Sequence, residues 1–192
     1  QVYGGITNMA TIGLRDLYRA PITIGDGGVE EYGTPVKMAK AISAELSVEV
    51  AEAILYADDG ADEVVKEFVS GELTLNVNDL LPADLAALLG QQQDDDMVVY
   101  GSDTDEPPYF AIGFRAKKAG GSYKYIWLYA IPSENYQTKG DSIEFTTPEI
   151  VGQFIKRSDG LWKAEHVALP TESVAADWFT TVREPNNTDS AG

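Results

Sequence analysis

The sequence contains no cysteine, a single histidine and few basic side chains. Without cysteine the chain can form no disulfide, no thiolate metal site and no cysteine nucleophile. The lone His166 has no second histidine to complete a zinc site, and we interpret it as an ordinary strand residue. Long apolar runs are also missing: the stretch from Ile126 to Ile131 is far shorter than the ~20 residues of a membrane-spanning helix. We therefore expect no metal and no membrane partner.

Acidic residues outnumber basic ones by 31 to 14, which gives a net charge of −17. The excess is concentrated, because 17 acidic residues and one basic residue, Lys66, lie between Glu45 and Glu106. A generally acidic surface is the simpler explanation of the total, but it would spread the acids more evenly. Non-specific affinity for nucleic acid comes from Lys and Arg contacts to phosphate, so we expect no tight binding of DNA or RNA.

The dominant hydrophobic period is two, which predicts strands. From Ala41 to Val50, apolar residues alternate with polar ones, a pattern typical of a strand with one wet face. The residues on its predicted buried side are Ala44, Leu46, Val48 and Val50, and those on its polar side are Ser43, Glu45, Ser47 and Glu49.

A second run of this kind, 64–78, is separated from the first by the turn signal Asp58-Asp59-Gly60. The two runs therefore predict a long hairpin that projects from the domain around residues 50–64. Gly71 is interpreted as a bulge or bend. The predicted buried side of the second run is Val69, Leu73, Leu75 and Val77, and its polar side is Glu72, Thr74, Asn76 and Asn78.

The remaining pattern predicts a mainly β domain over residues 1–185, followed by a flexible tail, 186–192. Helices are predicted at 81–89, with Pro82 in the first turn and Gly90 at the end, and at 171–182, with Thr171 as the N-cap. We expect a β-sandwich or partial barrel with one or two short flanking α-helices. The further predicted strands are 13–24, 109–115, 123–131, 142–145, 150–156 and 161–168.

A search for catalytic chemistry finds no nucleophile elbow and no phosphate-binding loop, so no catalytic residue and no cofactor are predicted. A hydrolase that uses a carboxylate pair is the weakest alternative, since nothing singles out a pair. The acidic runs Asp94-Asp95-Asp96 and Asp58-Asp59 could hold a cation loosely, although the spacing of an EF-hand loop fails. The run 123–129 has aromatic residues on one face and fits either a stacking platform for sugars or bases, or a buried sheet face or subunit interface.

The order of the motifs along the chain resembles the major tail proteins, or tail tube proteins, of long, non-contractile-tailed bacteriophages and prophages. Each motif is short, and their order and spacing carry the resemblance, which is closest up to Phe114 and extends loosely to Pro185. The motifs are Gly13-Leu14-Arg15-Asp16-Leu17-Tyr18-Arg19-Ala20-Pro21-Ile22-Thr23, Tyr32-Gly33-Thr34-Pro35-Val36, Leu46-Ser47, Leu55-Tyr56-Ala57-Asp58-Asp59, Gly71-Glu72-Leu73-Thr74-Leu75, Leu80-Leu81-Pro82 with Leu89-Gly90, and Tyr109-Phe110-Ala111-Ile112-Gly113-Phe114.

The resemblance implies a structural protein of the virion rather than an enzyme. Such subunits form hexameric rings that stack into a tube, made in the host cytoplasm and built into the phage tail. The implied partners are further copies of the chain and other tail proteins at the tube ends, while DNA passes through the channel without specific binding. The alternative is a secreted or surface β-sandwich that binds carbohydrate or calcium.

Two sets of site residues follow from combining the strand pattern with the resemblance. The polar face of the hairpin is predicted to line the channel, although the same face could instead meet bulk solvent on the outside. The lumen-facing candidates are Glu45, Ser47, Glu49, Glu72, Thr74 and Asn76. The tip of the hairpin is predicted to contact a neighbouring subunit through Leu55, Tyr56, Asp58 and Asp59, with Tyr56 as the anchor.

Overall fold

The computed structural model describes residues 5–26, 28–38, 41–57, 60–77, 80–137 and 149–185, and of these it gives the backbone alone at 5–13, 41, 53–57, 60–66, 119 and 130–137. The elements are, in chain order, β1 (Gly5–Ile24), β2 (Glu30–Tyr32), β3 (Val36–Lys37), β4 (Ala41–Ala57), β5 (Gly60–Val77), α1 (Pro82–Leu89), β6 (Gln92–Gln93), β7 (Val99–Tyr100), β8 (Tyr109–Lys117), a 3-10 turn (Ala119–Gly121), β9 (Tyr123–Gln137), β10 (Glu149–Phe154), β11 (Lys163–Ala168) and α2 (Ser173–Ala176). The predicted strand 142–145 and the predicted flexible tail 186–192 lie outside the described residues.

Nine strands form one continuous antiparallel sheet whose two halves, called the two sheets below, share β1 and β9, and β6 and β7 pair separately. The strand order is β10-β5-β4-β1-β8-β9-β11, and β2 and β3 pair with β1. The first half of β1 pairs with β4 and its second half with β8. Likewise β9 pairs with β8 and β11 through its first part and with β10 through its last part. The β9–β10 pairing closes a circle of six strands, which confirms the predicted mainly β sandwich or partial barrel with short flanking helices.

The principal core fills the space between the two sheets. Leu73 and Leu75 from one sheet and Phe114 from the other are at most 2% exposed. The helix α1 adds Leu88 to this core and ends at Gly90, which adopts the left-handed φ of 70° and donates its N–H to carbonyls of the last turn. Most of the alternating apolar residues predicted to be buried in the hairpin do face this core. The described members of the core are Leu14, Leu17, Met38, Ala44, Leu46, Val48, Leu73, Leu75, Val77, Leu88, Phe110, Ile112, Phe114, Ala116, Ile126, Leu128, Ile150 and Phe154.

One residue of the predicted buried side, Val69, is instead 49% exposed. Ser70 pairs with Glu49 and Phe68 pairs with Val50, so Val69 is an extra residue in the ladder and shifts the alternation by one. The predicted bulge or bend at Gly71 is therefore wrong by two residues. Gly71 itself stays in regular register, and its missing side chain makes room for an aromatic ring from β10.

A second core lies on the outer side of the β8–β9 sheet, under the segment 171–184, which we call the strap. Trp178 and Phe179 of the strap pack on the aromatic face of β9. The indole of Trp127 donates a hydrogen bond of 3.0 Å to the carbonyl of Trp178, and the Tyr129 hydroxyl donates one to the carbonyl of Arg183. The strap is thus tied to the sheet along its length.

The helix predicted over 171–182 is wrong in extent, because α2 covers only four residues. Its N-cap position is Glu172, and no side chain caps it, whereas Thr171 was predicted to do so. Beyond Ala176 the chain continues as a turn over 177–180, from which Trp178 and Phe179 both pack on the sheet. Val174, predicted on the buried stripe, is 40% exposed.

Candidate functional site: an acidic sheet face

Three neighbouring strands, β4, β5 and β10, present one continuous polar face, which we call the acidic face. Directly opposed residues of an antiparallel pair point to the same side of a sheet. In this register Glu45 lies opposite Thr74, and Ser47 lies opposite Glu72, which in turn lies opposite Gln153 of β10. The members of the face are Ser43, Glu45, Ser47, Glu49, Ser70, Glu72, Thr74, Asn76, Glu149, Val151 and Gln153.

All six lumen-facing candidates therefore share this one face. The three glutamates among them are exposed, and Ser47, Thr74 and Asn76 are half-buried. The alternate residues Leu46, Val48, Leu73 and Leu75 point into the principal core. A shift of one residue in the strand register would bury the glutamates and expose the leucines. Burial of the leucines therefore fixes the register and keeps the polar side chains on the outer face.

The acidic face carries four carboxylates and no basic residue among its eleven members. Glu72 lies diagonally between Glu45 and Glu49 in the register, at the ~7–8 Å that separates diagonal neighbours in antiparallel strands. The face is also internally bonded: Ser70 Oγ donates to Glu49 Oε2 at 3.4 Å, and Asn76 Nδ2 donates to Ser43 Oγ at 3.2 Å. The result is a negative, hydrogen-bonding surface whose four glutamates are exposed to solvent.

Five members of this surface were not among the lumen-facing candidates: Ser43, Ser70 and the three β10 residues Glu149, Val151 and Gln153. The signal was in the sequence, since Glu149, Val151 and Gln153 alternate with Ile150 and Phe154. What the sequence could not give was the partner of β10, which pairs with β5 and so extends the same face by one strand.

The predicted contact residues lie beyond this face, in the outer half of the β4–β5 hairpin. There Leu55 pairs with Glu63 and Tyr56 pairs with Ala61 along the backbone, while Asp58 and Asp59 lie outside the described residues. Of the described residues, β1 follows β4 only as far as Val50 and β10 follows β5 only as far as Gly71, so the pairs beyond them form a two-stranded ribbon. Its contact with a neighbour stays a prediction.

The aromatic strand does not provide a stacking platform. Tyr125, Trp127 and Tyr129 are each at most 1% exposed because the strap covers them. Burial raises the pKa of the Tyr129 phenol to about 12, although the nearby Arg157 guanidinium acts in the opposite direction. Of the two interpretations of this strand, a buried sheet face is therefore the right one.

The acidic run Asp94-Asp95-Asp96 shows no cation geometry. Asp94 uses its carboxylate within its own turn, accepting hydrogen bonds from the Val98 amide at 2.8 Å and the Tyr100 hydroxyl at 2.9 Å. In the part of the chain that the structure describes, no three His, Asp or Glu side chains converge as metal ligands. Over the same residues, no helix is long and apolar enough to cross a membrane.

A scan of the chain against protein-family models found no match, and a search of curated proteins found none either.

Proposed function

We propose that the chain is the subunit of a phage tail tube, in which hexameric rings stack around a channel lined by the acidic face. The proposal combines the resemblance of the motif series to tail tube proteins with one structural observation. That observation is the acidic face itself: four carboxylates on the wet side of a three-stranded sheet whose other side is closed by core leucines.

The chemistry of this face suits a wall along which DNA moves. DNA is held by Lys and Arg contacts to phosphate, and the acidic face offers none. A ring would repeat Glu45, Glu49, Glu72 and Glu149 around its axis, and the resulting negative potential would act over ~8 Å at physiological salt. Because the carboxylates remain hydrated, such a wall carries little desolvation cost.

Electron microscopy of the concentrated protein tests the assembly. We expect rings or tubes in negative stain. A preparation that remains monomeric at high protein concentration, with the fold intact by circular dichroism, would refute the tube subunit.

A labelling experiment tests which face lines the channel. Because the chain has no cysteine, an introduced cysteine is its only thiol. We expect Glu45→Cys to react with a bulky polyethylene-glycol maleimide in the monomer and to be protected in tubes. The matched control is Asp177→Cys on the exposed side of the strap, which should react in both states. Equal labelling of Glu45→Cys in tubes and monomer would place the acidic face outside.

A further inference from the structure

The hairpin and loop over residues 91–108 form a second concentration of negative charge, which we call the acidic pole. It carries six carboxylates and no basic residue. Its tip is also apolar, since Met97 is 64% exposed and Tyr100 is 56% exposed. An exposed tip that combines charge of one sign with large apolar side chains has the composition of a contact surface.

The tip of the acidic pole is held in shape by its own hydrogen bonds. β6 pairs with β7, and Asp94 accepts bonds from Val98 and Tyr100 across the turn. Met97 sits at the turn with a φ of 66°, an uncommon conformation for a residue with a side chain. The turn therefore presents Met97 outward on a pre-formed support.

Five cations lie around the end of β8, and we call this set the basic pole. Arg15 is opposite Arg115 in the β1–β8 register, Lys37 shares the carboxylate of Asp16 with Arg115, and Lys117 and Lys118 follow Arg115 along the chain. Asp16 holds part of it together, because its carboxylate lies 2.6 Å from Lys37 Nζ and 2.5 Å from an Arg115 guanidinium nitrogen. Burial raises the pKa of Asp16, but the Lys37 hydrogen bond and the Arg115 charge outweigh it and bring the pKa below its usual value. The cluster therefore keeps an excess of four positive charges.

An open notch lies beside the basic pole, between the strap and the sheet. Its walls include the half-buried Tyr18 and Phe179 and the exposed Pro170, together with Asp16 and Arg115 from the pole itself. The rings of Tyr18 and Phe179 stack with centroids 4.5 Å apart. The notch thus offers aromatic surface next to cations, which complements a tip of apolar residues among carboxylates.

The two poles lie at opposite ends of one strand. The acidic pole ends at Pro108, directly before β8 begins at Tyr109, and the basic pole includes Lys117, the last residue of β8. Nine residues of extended strand separate their ends by about 27 Å. In the described part of one copy, no ion pair joins a carboxylate of the acidic pole to a cation of the basic pole.

We propose that copies of this chain associate head to tail along β8, with the acidic pole of one copy, led by Met97 and Tyr100, seated on the basic pole and notch of the next. When two different surfaces of identical subunits bind each other, each added copy offers a free surface to the next one. The series continues as a filament unless the rotation between successive copies closes it into a ring. In the proposed tube, this contact would join one ring to the next, with β8 running from ring to ring. The assignment to ring stacking rests on the proposed function.

Charge reversal with rescue tests the contact in the full-length chain. We expect Lys117→Glu with Lys118→Glu, and separately Asp95→Lys with Asp96→Lys, to raise the concentration needed for self-association at least tenfold by sedimentation velocity. The chain that carries all four changes should regain wild-type association, because complementary charges meet again with inverted signs. Asp94 is left intact because it holds the turn.

The matched control is Asp26→Lys with Glu31→Lys, which changes the net charge by the same amount at two exposed residues outside the acidic face and both poles and should leave association unchanged. Wild-type association of either reversed variant, or failure of the fourfold variant to recover although it is folded, would overturn the head-to-tail contact. Linear chains without tubes in the micrographs would refute the proposed function alone. Tubes formed equally by the reversed variants would refute the contact alone.

Discussion

Gly71 offers the sharpest test of how the β4–β5–β10 sheet is packed. A Cβ added at this position would lie 2.0 Å from Cζ of Phe154 and 2.4 Å from a second ring carbon. The ring is fully buried, with Phe68 at a centroid distance of 5.9 Å and Trp162 at 5.4 Å. Phe154 is therefore enclosed by other rings and cannot turn aside to admit a methyl group.

We expect Gly71→Ala to destabilise the fold by about 3 kcal/mol, the upper part of the usual range for overpacking a core. To restore the 3.4 Å of ordinary contact, the ring would have to withdraw by 1.4 Å, which is 3.4 minus 2.0. For a domain of this size each kcal/mol lowers the melting temperature by roughly 2–4 °C, so the expected decrease is roughly 6–12 °C. Thermal unfolding followed by tryptophan fluorescence measures it.

Two variants separate this clash from a general effect of replacing glycine. Gly101→Ala is the matched control: it is exposed, and its nearest neighbour is the flexible end of Gln91 at 3.0 Å, so we expect a change within about 0.5 kcal/mol. Gly71→Ala combined with Phe154→Leu should cost less than the sum of the two single changes, because the smaller side chain relieves the overlap. A melting temperature of Gly71→Ala within 2 °C of wild type (a limit of roughly 1 kcal/mol) would refute this packing argument.

Three further predictions concern the candidate site and the strap. Glu45→Lys with Glu49→Lys should still assemble but slow DNA passage, because phosphate would then meet cations in the channel; unchanged infectivity of phage carrying both changes would count against a lumenal face. Deletion of residues 53–63 should leave a folded monomer that forms no tubes, and normal tubes in negative stain would contradict the expected subunit contact. The pKa of a phenol is near 10 in the unfolded chain and about 12 for Tyr129 in the fold, so the free energy of unfolding should fall as the pH rises from 10 to 12. Tyr129→Phe should make this decrease smaller in urea titrations. An unaltered dependence on pH would exclude Tyr129 as its source.

The sequence pattern was sufficient for the hairpin and its two faces. Strict alternation placed Leu46 and Leu73 in the core and Glu45 and Glu72 in water, because a strand has only two sides and one of them must be buried. The same logic failed at Val69, where one extra residue in the ladder shifts the alternation, and a bulge depends on the partner strand as much as on local sequence.

Other features depended on long-range pairing that local pattern does not encode. The aromatic face of β9 was compatible with a platform or a core until the strap, about 50 residues later, was seen to cover it. The apolar spacing of Val174, Trp178 and Val182 predicts a regular helix, but only Ser173–Ala176 is helical and the rest of the strap follows the sheet that it covers. The basic pole could not be predicted from the sequence because its residues are far apart along the chain. Asp16 contacts Lys37 and Arg115 only after β1 has paired with β3 and β8.

The strap also has a consequence for the order in which the chain can complete its fold. The strap residues that cover Tyr125, Trp127 and Tyr129 are synthesised after the strand beneath them, so these rings stay uncovered until about residue 183 has left the ribosome. A chain that stops before Trp178 would have its sheets but would expose a wide aromatic surface, which favours aggregation. A chain interrupted there would therefore be prone to associate through the exposed rings before it could make the contacts of the folded subunit.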